Sequence, residues 1–132
     1  MADPTFGLAL TCMDGRIQTP VNEFLQEKFG VDVIDVVSEP GIVKFLAGAN
    51  ADDVSQEWLK QKADISTGHH HSNQIAIVAH ESCAGNPVTK DEQLMHLRQA
   101  KMLVQSWYPN LSVVNLWVEP TDSVWQVTEI IA

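Results

Sequence analysis

Apolar residues fall along the chain in short blocks separated by polar turns, and the spacing inside each block predicts its element. Phe6 to Met13 (FGLALTCM) is a short apolar run closed by Asp14-Gly15, the pattern of a buried strand. Thr19-Pro20 reads as a helix N-cap followed by proline at the first helical position. Val21, Phe24, Leu25 and Phe29 follow at helical spacing, and Gly30 ends that helix. Val31 to Ser38 (VDVIDVVS) is rich in β-branched residues and predicts a second strand. After the Pro40-Gly41 turn, Ile42 to about Lys62 reads as mostly helical, with a break near Gly48 to Asn50. Ser66 to Asn73 reads as a polar loop. Gln74 to Ala79 (QIAIVA) is a third buried strand that delivers His80 and Cys83 at its carboxyl end. Thr89 and Glu92 have the spacing of a capping box. Leu94, Leu97, Ala100, Val104 and Trp107 then mark the inner face of a long helix ended by Pro109-Asn110. Leu111 to Val118 (LSVVNLWV) is a fourth strand, Glu119 to Ser123 a turn, and Val124 to Ile131 a short edge strand.

Strands alternating with helices predict an α/β fold: three layers, α/β/α, around a mainly parallel central sheet of about four to five strands. Right-handed crossovers cover both faces of such a sheet, and ligands bind beyond the carboxyl ends of its strands. Cys12 lies near the end of the first strand, and His80 and Cys83 just past the end of the third. Topology therefore brings them to one edge of the sheet although they are far apart in sequence. At 132 residues, with no repeat, linker or low-complexity tract, the expectation is one domain over residues 1–132.

Composition narrows the functions open to such a domain. The 45% apolar and 19% charged residues are ordinary for a soluble globular chain. A net charge of -9 and a pI near 4.7 repel phosphate backbones, which argues against nucleic acid as a partner. No apolar run reaches the ~20 residues of a membrane helix, so no membrane partner is expected. Met1-Ala2-Asp3-Pro4 has neither a basic n-region nor an apolar h-region, so the expected location is cytoplasmic. In a reducing compartment the two cysteines, Cys12 and Cys83, serve metal or catalysis more often than a disulfide, although two buried thiols can also act as small hydrophobes.

Zinc takes thiolate and imidazole ligands in a tetrahedral set. His80-Glu81-Ser82-Cys83 is an H-x-x-C pair at a strand end, and Cys12 supplies a third candidate ligand. Three protein ligands leave one position open, the pattern of catalytic zinc. Asp14 and Arg16 sit in the turn just after Cys12. The carboxylate could become a fourth ligand, or it could pair with the Arg16 guanidinium and stay off the metal as a hydrogen-bond acceptor. A plain Asp-Gly turn beside a solvated arginine is the simpler alternative.

Thr11-Cys12-Met13-Asp14-Gly15-Arg16 resembles a C-x-D-x-R element, and Ala79-His80-Glu81-Ser82-Cys83 resembles a G-H-x-x-C element, of the β-class carbonic anhydrases. The alignable region runs from about Phe6 to Val118. The resemblance implies a β-carbonic anhydrase-like fold, Zn2+ held by Cys12, His80 and Cys83, and a catalytic dyad of Asp14 and Arg16. It implies reversible hydration of carbon dioxide to bicarbonate, which in that family proceeds by attack of zinc-bound hydroxide. Small-molecule substrates (carbon dioxide and bicarbonate, or an analogue) follow as expected partners, while edge strands and four tryptophans in a small acidic chain predict a homo-oligomer, dimer or higher. Two alternatives stay open: a zinc-binding protein of this fold without hydration activity, and a related zinc hydrolase for another small substrate. The family carries a long N-terminal arm, whereas eleven residues precede Cys12, so no arm is expected. Ser38-Glu39-Pro40-Gly41 stands where the family has an R-N-A-G-like segment, Ala79 replaces the glycine before the histidine, and Ala84-Gly85 replaces the glycine after the second cysteine.

Other residues read more plainly. His69, His70 and His71 are expected in a solvated loop rather than as a proton shuttle or second metal site, and His96 at a surface or boundary position. Trp58, Trp107, Trp117 and Trp125 are expected in core or dimer packing. Asn86-Pro87 fits either a pocket mouth or a plain turn.

Overall fold

The structure is a computed structural model, which describes residues 3–49 and 53–131. Its elements are β1 (Phe6–Thr11), α1 (Gln18–Phe29), β2 (Val33–Ser38), α2 (Ile42–Leu46), α3 (Asp53–His69), β3 (Gln74–His80), α4 (Lys90–Trp107), β4 (Ser112–Pro120) and β5 (Trp125–Ile130). The sheet order is β2-β1-β3-β4-β5. Its first four strands run parallel, and β5 returns antiparallel on β4. The α/β fold with a mainly parallel sheet is therefore as the alternation of elements implied.

The chain moves outward from β1 to β2 in one direction and from β1 to β3 in the other. The junction of β1 and β3 is thus the point where strand order reverses, the place beyond the carboxyl ends where sheets of this kind bind their ligands. Both strands are buried on two faces, which is why they read as continuous apolar runs. Leu8, Leu10, Ile75, Ile77 and Ala79 pack with α2, α3 and α4 on one side. Ala9, Ala76 and Val78 meet Val21, Leu25 and Phe29 of α1 on the other. Among the described residues no helix is long and apolar enough to cross a membrane.

Local departures have physical causes. α1 starts at Gln18, not after a Thr19 cap; its N-cap is the buried Ile17, which makes no side-chain capping bond. Gln18 Nε2 donates to the Cys12 and Asp14 carbonyls at 2.9 and 2.7 Å, tying the helix start to the turn after β1. Pro20 becomes the third helical residue, still within the turn whose N–H groups lack intrahelical partners. The break after α2 falls at residues 47–49, with Gly48 at φ 74°; Asn50 lies outside the described residues. The expected loop at Ser66 to Asn73 is helical as far as His69. Ser66 is buried and shares a 2.7 Å hydrogen bond with Ser72, and His70 Nδ1 lies 2.6 Å from Asp35 of β2 with its ring stacked on Phe6. Polarity alone assigns to a loop a segment in which Ser66 is buried and His70 is held against β2 and Phe6. Thr89 caps α4, accepting from the Glu92 N–H at 3.2 Å.

Candidate metal centre

β1 and β3 are in register at Leu10 and Ile77, so two residues further on the chain reaches Cys12 beside Ala79, next to His80. A turn with Ser82 in the left-handed region (φ 57°) then swings Cys83 back over the strand end. The Cys12 and Cys83 sulfurs lie 3.8 Å apart, and one donor atom from each of Cys12, His80 and Cys83 falls within 4.8 Å of the others. All three residues are buried. A tetrahedral ion with Zn–S bonds of about 2.3 Å sets its two sulfurs about 3.8 Å apart, so the sulfur–sulfur spacing fits zinc as it stands.

Backbone hydrogen bonds fix the orientation of the donors. His80 Nδ1 lies 2.8 Å from the Glu81 carbonyl, which can only accept, so Nδ1 carries the proton. Nε2 faces the two sulfurs, buried and without a hydrogen-bond partner. A buried lone pair with no donor is costly, and a metal ion is what this tautomer suits. The His80 carbonyl is held by Nε2 of the buried Gln93 at 2.9 Å. Gly41 N–H points at Cys12 Sγ from 3.4 Å. Gly41 has φ 62°, and a Cβ there would meet the Gly85 carbonyl carbon at 2.5 Å. The loops after β2 and β3 therefore touch backbone to backbone over the end of β1.

Asp14 stands at the rim. Its carboxylate accepts from Arg16 Nε at 3.0 Å and Arg16 Nη2 at 2.6 Å in a two-pronged pair, and from the Arg16 backbone N–H at 2.9 Å. Asp14 Oδ2 is 4.0 Å from His80 Nε2. The Arg16 guanidinium also lies 3.4 Å from the Ser82 carbonyl, with its carbon 4.7 Å from the centre of the Trp125 ring.

A family model described as "Putative carbonic anhydrase" matches residues 2–131. The chain belongs to this family. Among solved structures, the carbonic anhydrase fold here is similar to that of β-carbonic anhydrase isoform I from Trichomonas vaginalis. That match has a TM-score of 0.62 at 18% identity and covers 99% of this chain and 85% of that one. A carbonic anhydrase from Streptococcus mutans gives 0.60 at 16% identity, covering 94% and 81%. One of two tetrameric β-carbonic anhydrases from Sordaria macrospora gives 0.53 at 12%, covering 98% and 82%. No curated protein sequence matches the chain.

In this carbonic anhydrase-family centre the charges are arranged around the two sulfurs. Without metal, the Cys83 thiol stabilises a Cys12 thiolate, with the Gly41 N–H and, when it is protonated on Nε2, His80 adding to it. Cys12 is thereby driven far down, to about 3, against the cost of burial. Cys83 is driven up by the thiolate beside it and by burial. Burial opposes charge on His80, but the Cys12 sulfur and the Glu81 carbonyl favour it, and the balance raises the imidazole pKa. Arg16 holds the Asp14 carboxyl down at about 2.

The structure thus brings together all five residues singled out from the sequence. It leaves the histidine run apart: His69, His70 and His71 precede β3 at its amino end, while His80 closes the other, about 20 Å along the strand. Asn86 is buried and donates through its backbone to the Cys83 carbonyl and through Nδ2 to His96 Nδ1, the pattern of a turn rather than a pocket mouth. Gly41, Gln93 and Trp125 were not legible as site residues. Each reaches the centre from a separate element; only the Pro40-Gly41 turn signal hinted at one of them.

Proposed function

We propose that this chain binds one Zn2+ through Cys12, His80 and Cys83 and catalyses the reversible hydration of carbon dioxide to bicarbonate, with Asp14 and Arg16 as a catalytic dyad. The observation that carries the proposal is the convergence of two thiols and one unpartnered imidazole nitrogen beside a carboxylate that an arginine has already engaged. When bound, zinc supplies a Lewis acid that lets water act as a nucleophile near neutral pH. The chain's own residues do the rest. His80 presents Nε2 because Glu81 claims the proton on Nδ1. Gly41 N–H moderates the charge on Cys12. Arg16 holds Asp14 in one orientation. A carboxylate kept this far below its usual range accepts a hydrogen bond without taking the proton, so it can orient a nucleophilic water and leave the proton to buffer.

The proposal extends to a homo-oligomer. The edge strand β2 carries Val33 and Val36 in exposed positions, and a similar fold is described as tetrameric. A light-scattering mass of one chain at all concentrations would remove that part.

Metal analysis and stopped-flow hydration on one sample test the core reading. The purified protein is expected to hold about one zinc per chain, and Cys12→Ser combined with Cys83→Ser to lose it. Asp14→Asn is expected to keep zinc and lose about a hundredfold in kcat. Zinc binding without hydration would leave a metal-binding module of this fold, and full zinc in the double cysteine variant would refute the ligand set.

A further inference from the structure

The hairpin that ends the sheet puts an indole beside the dyad. Trp125 opens β5 opposite Pro120, at the carboxyl end of β4 and so at the same edge as the metal centre. The turn leading into it is closed by the Thr121 N–H and Oγ1 on the Val124 carbonyl at 2.7 and 2.9 Å. Alternate residues of β5 share one face. Trp125 and Val127 pack into the cluster under α1, and Glu129 meets Lys28 of α1 at 2.6 Å. Three attachments at every second residue hold the strand under α1, so a strand and not a loop sets where the ring lies.

The ring meets two residues of the site. The Arg16 guanidinium carbon stands 4.7 Å from its centre, and the His80 ring lies edge-on with centroids 6.4 Å apart at 67°. Arg16 needs such support, because its side chain is 50% exposed. Its N–H bonds to Asp14 lie along one edge of the guanidinium, and the further bond from Nη2 to the Ser82 carbonyl is long at 3.4 Å. The guanidinium carbon lies over the indole ring, whose face attracts a cation and so opposes movement of the side chain away from Asp14.

We propose that Trp125 is a positioning residue for the dyad. It holds the Arg16 guanidinium over its ring, so that Arg16 in turn holds the Asp14 carboxylate in one place through turnover. The inference rests on the dyad role proposed above for Asp14 and Arg16.

The test uses the full chain with zinc bound and has a readout independent of activity. The chain has two arginines, Arg16 and the exposed Arg98 on α4, so their Nε–H signals separate readily in a 15N spectrum. Exchange of the Arg16 Nε–H with water is expected to be slower than that of Arg98. Trp125→Leu is expected to raise it severalfold, and Trp125→Phe, which keeps an aromatic face, to restore it. Zinc content is expected to be unchanged in both. For carbon dioxide hydration, kcat is expected to fall about tenfold in the Leu variant and little in the Phe variant, with KM unchanged. Trp125→Met replaces the Leu variant if the latter fails to melt cooperatively. Wild-type exchange at Arg16 in the aliphatic variants would overturn the proposal. So would a Phe variant as impaired as the Leu one, which would mean that bulk alone matters. A wild type with no hydration activity would sink the proposed function, and the Arg16 exchange rates would still decide the clamp.

Discussion

Asp14 and Arg16 are two residues apart, and their pairing is almost wholly local: a tight turn after β1 presents the carboxylate to both the Arg16 backbone N–H and its guanidinium. That is why this part of the site could be read from a hexapeptide. In metal-free protein the Asp14 carboxyl is expected to titrate near 2 and, in Arg16→Ala, to move up toward its ordinary value of 3.8, followed by carboxyl 13C shifts. The sign follows from the lowered native pKa. The pair stabilises the fold above the unfolded value and loses that contribution as pH falls through the native one. No such loss is expected at neutral pH. A native Asp14 titrating near 4 would mean the pair is open in solution. His80 Nε2 carries the complementary lesson. H-x-x-C spacing nominates the ring, but only the Glu81 carbonyl decides which nitrogen is free, and that bond is invisible in the sequence.

At the scale of elements, the inner strands β1, β3 and β4 were legible because burial leaves an apolar run, whereas α3 was cut short because Ser66 to His69 are polar by composition, although Ser66 is buried in the folded chain. Glycines separate local from tertiary demands in the same way. Gly30 and Gly41 have nearly equal φ of 64° and 62°; a Cβ on Gly30 meets nothing within 4 Å, while one on Gly41 meets Gly85 backbone at 2.5 Å. Gly30→Ala is expected to cost about 1–2 kcal/mol for the left-handed backbone alone. Gly41→Ala is expected to cost clearly more in chemical denaturation, since two loops must part, and equal costs would show that the contact over Cys12 is not tight. Tyr108, which caps α4 and donates to Asp64 of α3 at 2.5 Å, ties two helices. Burial and that carboxylate push its hydroxyl above the usual value of 10. Stability from this group is therefore full below pH 10 and declines above it, as the unfolded phenol ionises first. It is the chain's single tyrosine, so absorbance of the phenolate reads it alone. Phenolate forming near pH 10 before any unfolding would contradict the buried bond.

Across the whole molecule, the proposed metal ligands come from the two strands that flank the reversal of strand order. Cys12 leaves β1 toward α1 on one face, while Cys83 leads from β3 toward α4 on the other. An ion held by both would join the halves of the sheet where no covalent link exists. The alternation of elements was enough to predict this meeting point; it could not supply the loops that close over it, because Gly41 and Gly85 approach only after the sheet has formed. Ligand geometry that is complete only in the folded chain makes binding free energy into folding free energy. Free zinc at about a hundredfold excess over Kd is expected to add about 2.7 kcal/mol. For a chain of this size that amounts to roughly 10 °C in Tm, measured by calorimetry in chelator and then with zinc restored. Cys12→Ser is expected to lose most of that gain, because it removes the sole ligand on the β1 side. Asp14→Asn is expected to keep it, because Asp14 is engaged by Arg16 and stands outside the donor set. A zinc-dependent shift that survives in Cys12→Ser but vanishes in Asp14→Asn would place the ion elsewhere, on the carboxylate side of the site.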